Sequence, residues 1–141
     1  MRGTALAEGI GEKLSALPPM VKCPVLIAKP QIGVSTKFVY ENLKLDADTV
    51  HPDIDGLIGA IRAKNLEQIA GHMGNVLETV TIPNYPVIAE IKEHMMEHGA
   101  VHATVFGLFA NGDTAVAAYE AMRESNLAKQ VYLTSIYNNA R

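Results

Sequence analysis

The sequence has 141 residues, a length that suits one domain, because two domains would each be too small to bury a stable core. Apolar residues make up 48% and charged residues 19%, which excludes a disordered, collagen-like or disulfide-stapled chain. A net charge of −3 without a lysine or arginine cluster argues against broad nucleic-acid binding, and no apolar run approaches the roughly 18 residues of a membrane span.

The N-terminal segment predicts short strands rather than a targeting signal. Met1–Thr4 lacks the basic-then-apolar layout of a secretory signal. Glycines interrupt residues 3–14, which predicts strands joined by a glycine-rich turn, and Pro18-Pro19 ends this unit. Because Cys23 is the single cysteine, no intrachain disulfide can form, and we expect a cytoplasmic protein.

The next segment predicts a strand followed by a short helix. Val25–Ala28 is a brief apolar run between two prolines, which is typical of a buried strand. Ser35 or Thr36 can cap the helix that follows. Tyr40 shares an apolar face of this helix with Val39, so periodicity favours a core position. The alternative for Tyr40 is a ring at a pocket rim that stacks on a nucleobase.

Two further helices are predicted in the middle of the chain. His51-Pro52-Asp53 begins the first, since proline suits a first helical turn and an aspartate favours the positive end of the dipole. Residues 63–65 break the pattern, and Gly74-Asn75 can end the second helix. Their apolar stripes are Ile54, Leu57, Ile58 and Ile61, and then Leu66, Ile69, Ala70 and Met73.

The remaining elements complete a small α+β domain. Residues 83–86 begin a helix that Gly99 ends, with Val87, Ile88, Ile91 and Met95 facing the core. Residues 101–109 alternate as one strand, residues 111–113 cap another helix, and residues 131–137 form the last strand. We predict one domain over residues 1–141, of the ferredoxin-like (split βαβ) kind, with helices on one face of a small, mostly antiparallel sheet.

Two local patterns suggest chemistry, and each has a simpler explanation. His94 and His98 have metal-ligand spacing on one helix face, with Glu97 or His102 as a third ligand. Zinc needs three or four convergent ligands, so a solvated helix face is favoured and no metal site is predicted. Gly9-Ile10-Gly11 is a weak phosphate loop, because it has neither a third glycine nor a following helix.

Four segments together carry a family resemblance. They are residues 3–12, residues 28–40 with Ala-Lys-Pro and Val-Ser-Thr, residues 74–92, and Thr-Val-Phe-Gly-Leu-Phe at 104–109. In order and spacing, from about Gly3 to Tyr137, they resemble the 4-diphosphocytidyl-2-C-methyl-D-erythritol kinases of the GHMP kinase superfamily. The resemblance rests on the set of segments, since each one alone is a weak signal.

This resemblance implies a substrate and two binding residues. Such enzymes use ATP and Mg to phosphorylate the 2-hydroxyl of a cytidine-diphospho sugar alcohol in the non-mevalonate isoprenoid route. By resemblance, Tyr40 matches the aromatic residue that stacks on the substrate's cytosine, and Thr36 matches a hydroxyl residue near the same pocket. Tyr40 and Thr36 are therefore the predicted substrate-binding residues.

The phosphate-binding parts of the family have no match in this sequence. The N-terminal phosphate loop, the catalytic lysine and the catalytic aspartate fall outside the matching segments, so no catalytic residue is predicted. A second loop, usually Met-Ser-Gly-Ser-Gly-Pro, is missing where Ala103 joins Thr104. This gap of about six residues lies where backbone N–H groups would meet an anion. We therefore expect a substrate-side kinase domain that is inactive alone and binds no ATP or Mg by itself.

The alternative function is a non-catalytic binding or assembly module that keeps a partial cytidine site. The expected partners are the cytidine-diphospho substrate and an N-terminal half of the kinase, with no nucleic acid and no membrane. Residues 1–20 are expected to pack on that half, and unpaired strand edges are expected to favour homo-oligomers. The shortened junction at Ala103–Thr104 is expected to merge a strand–loop–strand hairpin into one strand.

Overall fold

Two antiparallel sheets and six helices form the part of the chain that the computed structural model describes, residues 3–46 and 49–136. The strands are β1 (Ala5–Glu8), β2 (Lys13–Ala16), β3 (Pro24–Pro30), β4 (His102–Ala103), β5 (Phe106–Leu108) and β6 (Ala128–Ser135). The helices are α1 (Thr36–Asn42), α2 (Ile54–Arg62), α3 (Leu66–His72), α4 (Glu78–Asn84), α5 (Pro86–Glu97) and α6 (Gly112–Ser125).

The main sheet has the strand order β4-β5-β3-β6, and all its pairs are antiparallel. The predicted strand Val25–Ala28 lies in the central strand β3, where Leu26 pairs with Gly107 on one side and with Leu133 on the other. A central strand flanked by two antiparallel partners, with helices between the strands along the chain, is the split βαβ arrangement. The predicted α+β fold class is confirmed.

The larger core lies between one face of this sheet and helices α5 and α6. Leu26 and Ala28 point to this face because side chains alternate along a strand. The predicted stripe of α5 is confirmed, with Ile88, Ile91 and Met95 buried and Val87 partly buried against the core. The main core consists of Leu26, Ala28, Ile91, Met95, Ala100, Ala103, Phe109, Ala115, Ala118 and Met122.

A smaller cluster covers one end of the opposite sheet face. Val25 and Leu108 are cross-strand partners there, and Leu66 and Met73 from the α3 region pack against them. Ile27 lies on the same face but is exposed. The α2–α3 pair therefore closes one end of this face, while α5 and α6 stack on the other face as predicted.

Side-chain caps fix where several helices begin. Asp53 caps α2 through a hydrogen bond that the Gly56 N–H donates at 3.0 Å, and Pro52 therefore lies before the helix rather than in its first turn. Asn65 caps α3 in the same way, which confirms the predicted break at residues 63–65. Helix α4 was not predicted, because the β-branched residues 79–82 and Pro83 disfavour a helix.

The prediction of one strand over residues 101–109 is wrong. Ala103 pairs with Gly107, so β4 and β5 form a hairpin whose connection is three residues long. The Thr104 N–H donates to the Phe106 carbonyl at 2.8 Å, which closes the turn. The short junction thus shortens the hairpin to a tight turn and does not merge its strands.

The hairpin of β1 and β2 pairs only with itself among the described residues. Its tip is fully in solvent, where Ile10 is 97% exposed. The Leu17 N–H donates to the Thr4 carbonyl, and the Met20 N–H donates to the Thr4 hydroxyl, which ties the base of the hairpin. An isolated two-stranded hairpin is at best marginally stable, so the expectation that residues 1–20 pack on another half stays a prediction.

We expect reversible self-association through the outer edge of β6. This eight-residue strand has no second neighbour among the described residues and contains no proline, and its own residue Tyr132 is 49% exposed. Tyr132→Lys should weaken association by up to about fivefold, because like charges on facing strands of an antiparallel pair cost about 0.2–1 kcal/mol. Sedimentation velocity over a concentration series measures this. Val116→Lys, on the exposed side of α6, is the matched control, and equal sedimentation of both variants would contradict the prediction.

Candidate functional site

Helix α1 presents the two predicted substrate-binding residues on its surface. The Ser35 hydroxyl accepts a hydrogen bond from the Phe38 N–H at 3.2 Å, so Ser35 rather than Thr36 is the cap. Val39 is buried. Tyr40 is 61% exposed, so its periodicity-based core position is wrong. Because Thr36 and Tyr40 are four residues apart, they lie one turn apart on the same helix face.

The orientation of α1 is set by its contact with the α4–α5 region. The Phe38 ring packs edge-to-face against the Tyr85 ring, with a centroid distance of 6.3 Å. Phe38 and the buried Val39 together turn Tyr40 outward. The outward ring of Tyr40 can stack on a planar base, and the Thr36 hydroxyl beside it can donate a hydrogen bond to a polar group of the same ligand.

A second candidate region, the α3–α4 cleft, is formed by three adjoining cavities that share Met73, Gly74 and Asn75. Their volumes are about 250, 280 and 420 Å³. The β4–β5 hairpin forms one wall through His102, Thr104 and Phe106. The sequence pattern did not predict this cleft; its one signal was the helix break at Gly74-Asn75.

Charged groups of the cleft are already paired within the fold. Lys92 of α5 donates to the Glu78 carboxylate of α4 at 3.2 Å, and the Glu78 side chain is only 17% exposed. Burial lowers the pKa of His102, the nearby Lys92 charge lowers it further, and Glu78 partly opposes them. His102 is therefore a neutral imidazole at neutral pH, which can donate or accept one hydrogen bond but offers no positive charge.

A shallow connection links the cleft to the region beside α1. A cavity of about 420 Å³ lies between the segment after α1 and helix α4, and it shares Thr79 and Val50 with the cleft. Neither Tyr40 nor Thr36 lines the cleft itself. The two candidate regions are thus neighbours on one surface.

Several backbone N–H groups that could meet an anion are hydrogen-bonded within the chain, although the N-termini of α4 and α5 have no side-chain cap. In the glycine turn, the Ile10 N–H donates to the Glu12 carboxylate at 2.7 Å, so the chain's own acid occupies the place of an anion. The N-termini of α1, α2, α3 and α6 are capped by their own side chains. The geometry of residues 9–11 therefore does not support their interpretation as a phosphate loop.

His94 and His98 stack on each other rather than converge on a third ligand. Their rings are 4.3 Å apart at 20°, and His98 Nδ1 lies 2.7 Å from the His94 carbonyl oxygen. The His94 Nδ1 atom is buried without a hydrogen-bond partner. Within residues 3–46 and 49–136, no group of three or more His, Cys, Asp or Glu side chains is arranged to hold a metal ion.

Stability is expected to fall on acidification because of His94. Burial lowers its pKa below the ordinary 6.5, the charge of His98 lowers it further, and Glu97 opposes them. On acidification, His94 of the unfolded chain therefore binds a proton before His94 of the folded chain does. The contribution of neutral His94 to the free energy of unfolding is complete above pH 6.5 and is lost as the pH falls toward the folded-state pKa.

The urea midpoint of His94→Gln should therefore fall less between pH 7.5 and pH 5.5 than the midpoint of the original chain. His102 keeps part of this pH dependence, because burial also lowers its pKa. His51→Gln, at an exposed residue, is the control and should retain the full loss. An unchanged pH dependence in the His94 variant would contradict the assignment.

Two relatives with high identity to this chain share one name. A protein of Lachnospira eligens named 4-diphosphocytidyl-2-C-methyl-D-erythritol kinase is 53% identical over 97% of this chain. One of Lachnoclostridium phytofermentans with the same name is 47% identical over 99% of it. In both cases the chain spans about half, 50%, of the length of the relative. No protein-family model matches the chain.

These alignments contain positions that this chain lacks. The Lachnospira alignment has 144 positions, yet it covers 97% of 141 residues, about 137, which leaves about seven positions without a counterpart. The Lachnoclostridium alignment has 146 positions for 99% of the chain, about 140 residues, which leaves about six. The number of these positions is similar to the six residues of the loop that the resemblance implies.

Solved structures share the fold. A 4-(cytidine 5'-diphospho)-2C-methyl-D-erythritol kinase matches 93% of this chain with a TM-score of 0.70 at 22% identity. The homoserine kinase of Cytophaga hutchinsonii matches 99% with a TM-score of 0.76 at 16% identity. Each match covers about half of the solved chain, 48% and 50%. No helix of the described residues is long and apolar enough to cross a membrane.

Proposed function

Since this chain is homologous to the C-terminal half of the 4-diphosphocytidyl-2-C-methyl-D-erythritol kinases, we propose that it is the substrate-side domain of such an enzyme. The enzyme would transfer the γ-phosphoryl group of ATP, with Mg, to the 2-hydroxyl of 4-diphosphocytidyl-2-C-methyl-D-erythritol, a step of non-mevalonate isoprenoid synthesis in the cytoplasm. The observation that carries the proposal is 53% identity over 97% of the chain.

In this proposal, Tyr40 and Thr36 bind the cytidine end of the substrate. The outward position of the Tyr40 ring and its place one turn from Thr36 support this role. A single stacking face contributes about 1–3 kcal/mol, so this domain alone would bind a cytidine nucleotide weakly. The opposing wall of the site and the partner for residues 1–20 would come from an N-terminal half.

The second candidate function is a binding or assembly module that keeps a partial cytidine site. The observation that favours it is the pairing of possible anion-binding groups inside the chain, namely Lys92 with Glu78 and the Ile10 N–H with Glu12. Such a module would bind cytidine diphosphate without transferring phosphate.

Two measurements on the purified chain test the proposal. A coupled assay with ATP, Mg and 4-diphosphocytidyl-2-C-methyl-D-erythritol should show no turnover, and turnover above background would contradict the inactivity of the domain alone. Cytidine diphosphate titrated to millimolar concentration should shift the NMR signals of Tyr40 and Thr36 but not those of Tyr132. No shift at Tyr40 or Thr36 would remove the cytidine site on α1 and, with it, the second candidate function.

A further inference from the structure

Helix α1 depends on neighbouring elements for its orientation. It has seven residues, and isolated helices shorter than about 12–15 residues are marginal in water. Two side-chain hydrogen bonds tie its own residues together: the Ser35 hydroxyl accepts from the Phe38 N–H at 3.2 Å, and the Asn42 side chain donates to the Phe38 carbonyl at 2.8 Å. These local bonds stabilise the helix, but they do not determine which of its faces turns toward the rest of the fold.

Phe38 lies on the side of α1 opposite the two predicted binding residues. Successive residues of a helix are turned by about 100°, so Thr36 and Tyr40 flank the direction about 180° from Phe38. A rotation of the helix about its axis that releases Phe38 therefore turns Tyr40 by the same angle. The direction of the Tyr40 ring thus depends on what packs against Phe38.

Tyr85 packs against Phe38 from the corner between α4 and α5. The two rings meet edge-to-face, with centroids 6.3 Å apart and an interplanar angle of 85°. The Tyr85 N–H donates to the Thr81 carbonyl at 2.8 Å, and the Tyr85 carbonyl accepts from the Ile88 N–H at 2.9 Å. Pro86 follows directly and disfavours a helical conformation of Tyr85, whose φ is −131°. The backbone of Tyr85 is therefore fixed by both helices, and this fixes the direction of its side chain.

The α4–α5 corner is a firm support for this contact. Ile91 of α5 is fully buried, and Val80 of α4 is buried as well. Lys92 pairs with Glu78 at 3.2 Å, which joins α5 to the first turn of α4. Helix α1, by contrast, has Val39 as its buried residue. The corner therefore sets the orientation of α1, rather than the reverse.

We propose that Tyr85 is a positioning residue of the cytidine site: its ring packs against Phe38 and thereby keeps Tyr40 turned outward to stack on the base. This inference rests on the proposed function, because it requires the base to bind on α1. The apparent affinity is the intrinsic affinity multiplied by the fraction of molecules in the binding orientation. Loss of one edge-to-face aromatic pair disfavours that orientation about two- to tenfold, so Tyr85→Ala should weaken cytidine diphosphate binding by that factor.

Titration of the full chain with cytidine diphosphate, followed by the Thr36 amide signal, tests this inference. Tyr85→Phe keeps the ring and should retain the affinity of the original chain. The matched control is Tyr119→Ala, which truncates another partly buried tyrosine, on α6, whose ring lies 5.6 Å from the Arg123 guanidinium. This control should lose stability without losing affinity.

Hydrogen exchange gives a second readout that needs no ligand. The Val39 N–H donates to the Ser35 carbonyl at 3.1 Å and reports on the order of α1. It should exchange faster in Tyr85→Ala than in Tyr119→Ala, because the first variant frees α1 locally and the second does not. Equal exchange of the Val39 amide in the two variants would contradict the role of Tyr85 in holding α1.

Phe38→Ala removes the other ring of the pair and should cause the same loss of affinity, and it replaces Tyr85→Ala if that variant does not fold. The double variant should lose no more than either single variant, since both remove one contact, whereas additive losses would overturn the inference. If the original chain binds and Tyr85→Ala binds as well as Tyr119→Ala, the inference is overturned and the cytidine site stands. If the original chain does not bind cytidine diphosphate, the site on α1 and the inference are both overturned.

Discussion

Replacing Phe109 with alanine is expected to lower the free energy of unfolding by about 3–5 kcal/mol. Phe109 is fully buried, and it lies directly after β5 where its N–H donates to the Pro24 carbonyl at 3.1 Å. Its ring packs between the sheet and the helices with Met95 and Met122. Truncation leaves a cavity that rigid neighbours cannot fill, since the sheet and two helices fix the surrounding backbone.

Such a loss is a large part of the total stability, because domains of this size are stable by only about 5–15 kcal/mol. Urea unfolding followed by far-ultraviolet circular dichroism measures it, with an unchanged slope and a lower midpoint as the expected result. Val116→Ala, on the exposed side of α6, is the control and should change stability by less than about 0.5 kcal/mol. A loss below about 1.5 kcal/mol in the Phe109 variant would show that its site collapses freely and would contradict the packing described above.

The sequence pattern predicts the elements whose signals are local. The stripe of α5 is correct at Ile88, Ile91 and Met95, because a twelve-residue helix repeats its apolar positions over more than three turns. The central strand is correct at Val25–Ala28, because two prolines bound a short apolar run. The beginning of α2 near Asp53 and the break at residues 63–65 also follow from local signals, although Asp53 is the cap and Pro52 lies before the helix rather than in its first turn.

Elements that depend on distant contacts could not be predicted in the same way. In α1, Phe38, Val39 and Tyr40 are three consecutive apolar or aromatic residues on a seven-residue helix, so periodicity alone cannot choose the buried one. The choice is made by Tyr85, whose ring packs against Phe38 from a distant part of the chain. Tyr40 is exposed as a consequence.

The α3–α4 cleft and the β4–β5 hairpin both depend on contacts between residues that are not neighbours in the local pattern, so the sequence pattern could not predict them. Glu78 and Lys92 lie on different helices, and their contact arises only after α4 and α5 have packed. Residues 101–109 alternate in hydrophobicity as one strand would, and only the pairing of Ala103 with Gly107 reveals the turn. The chemistry of the candidate site therefore depends on tertiary contacts that hydrophobic periodicity does not encode.

Tyr40→Ala is expected to weaken cytidine diphosphate binding about 5–150-fold, the loss that corresponds to one base–aromatic stacking contact of about 1–3 kcal/mol. Tyr40→Phe should retain most of the affinity, because the stacking surface remains. The ring is exposed on α1, so its removal should leave the unfolding midpoint nearly unchanged. Titration followed by the Thr36 amide signal measures both variants without relying on the substituted ring.

The matched control for this loss is Tyr132→Ala, which removes a similarly exposed ring from β6, and its affinity should equal that of the original chain. If Tyr40→Ala and Tyr132→Ala bind cytidine diphosphate equally well, the base does not stack on α1. The cytidine site would then have to be sought along the α3–α4 cleft, where His102 and Asn75 offer the polar contacts.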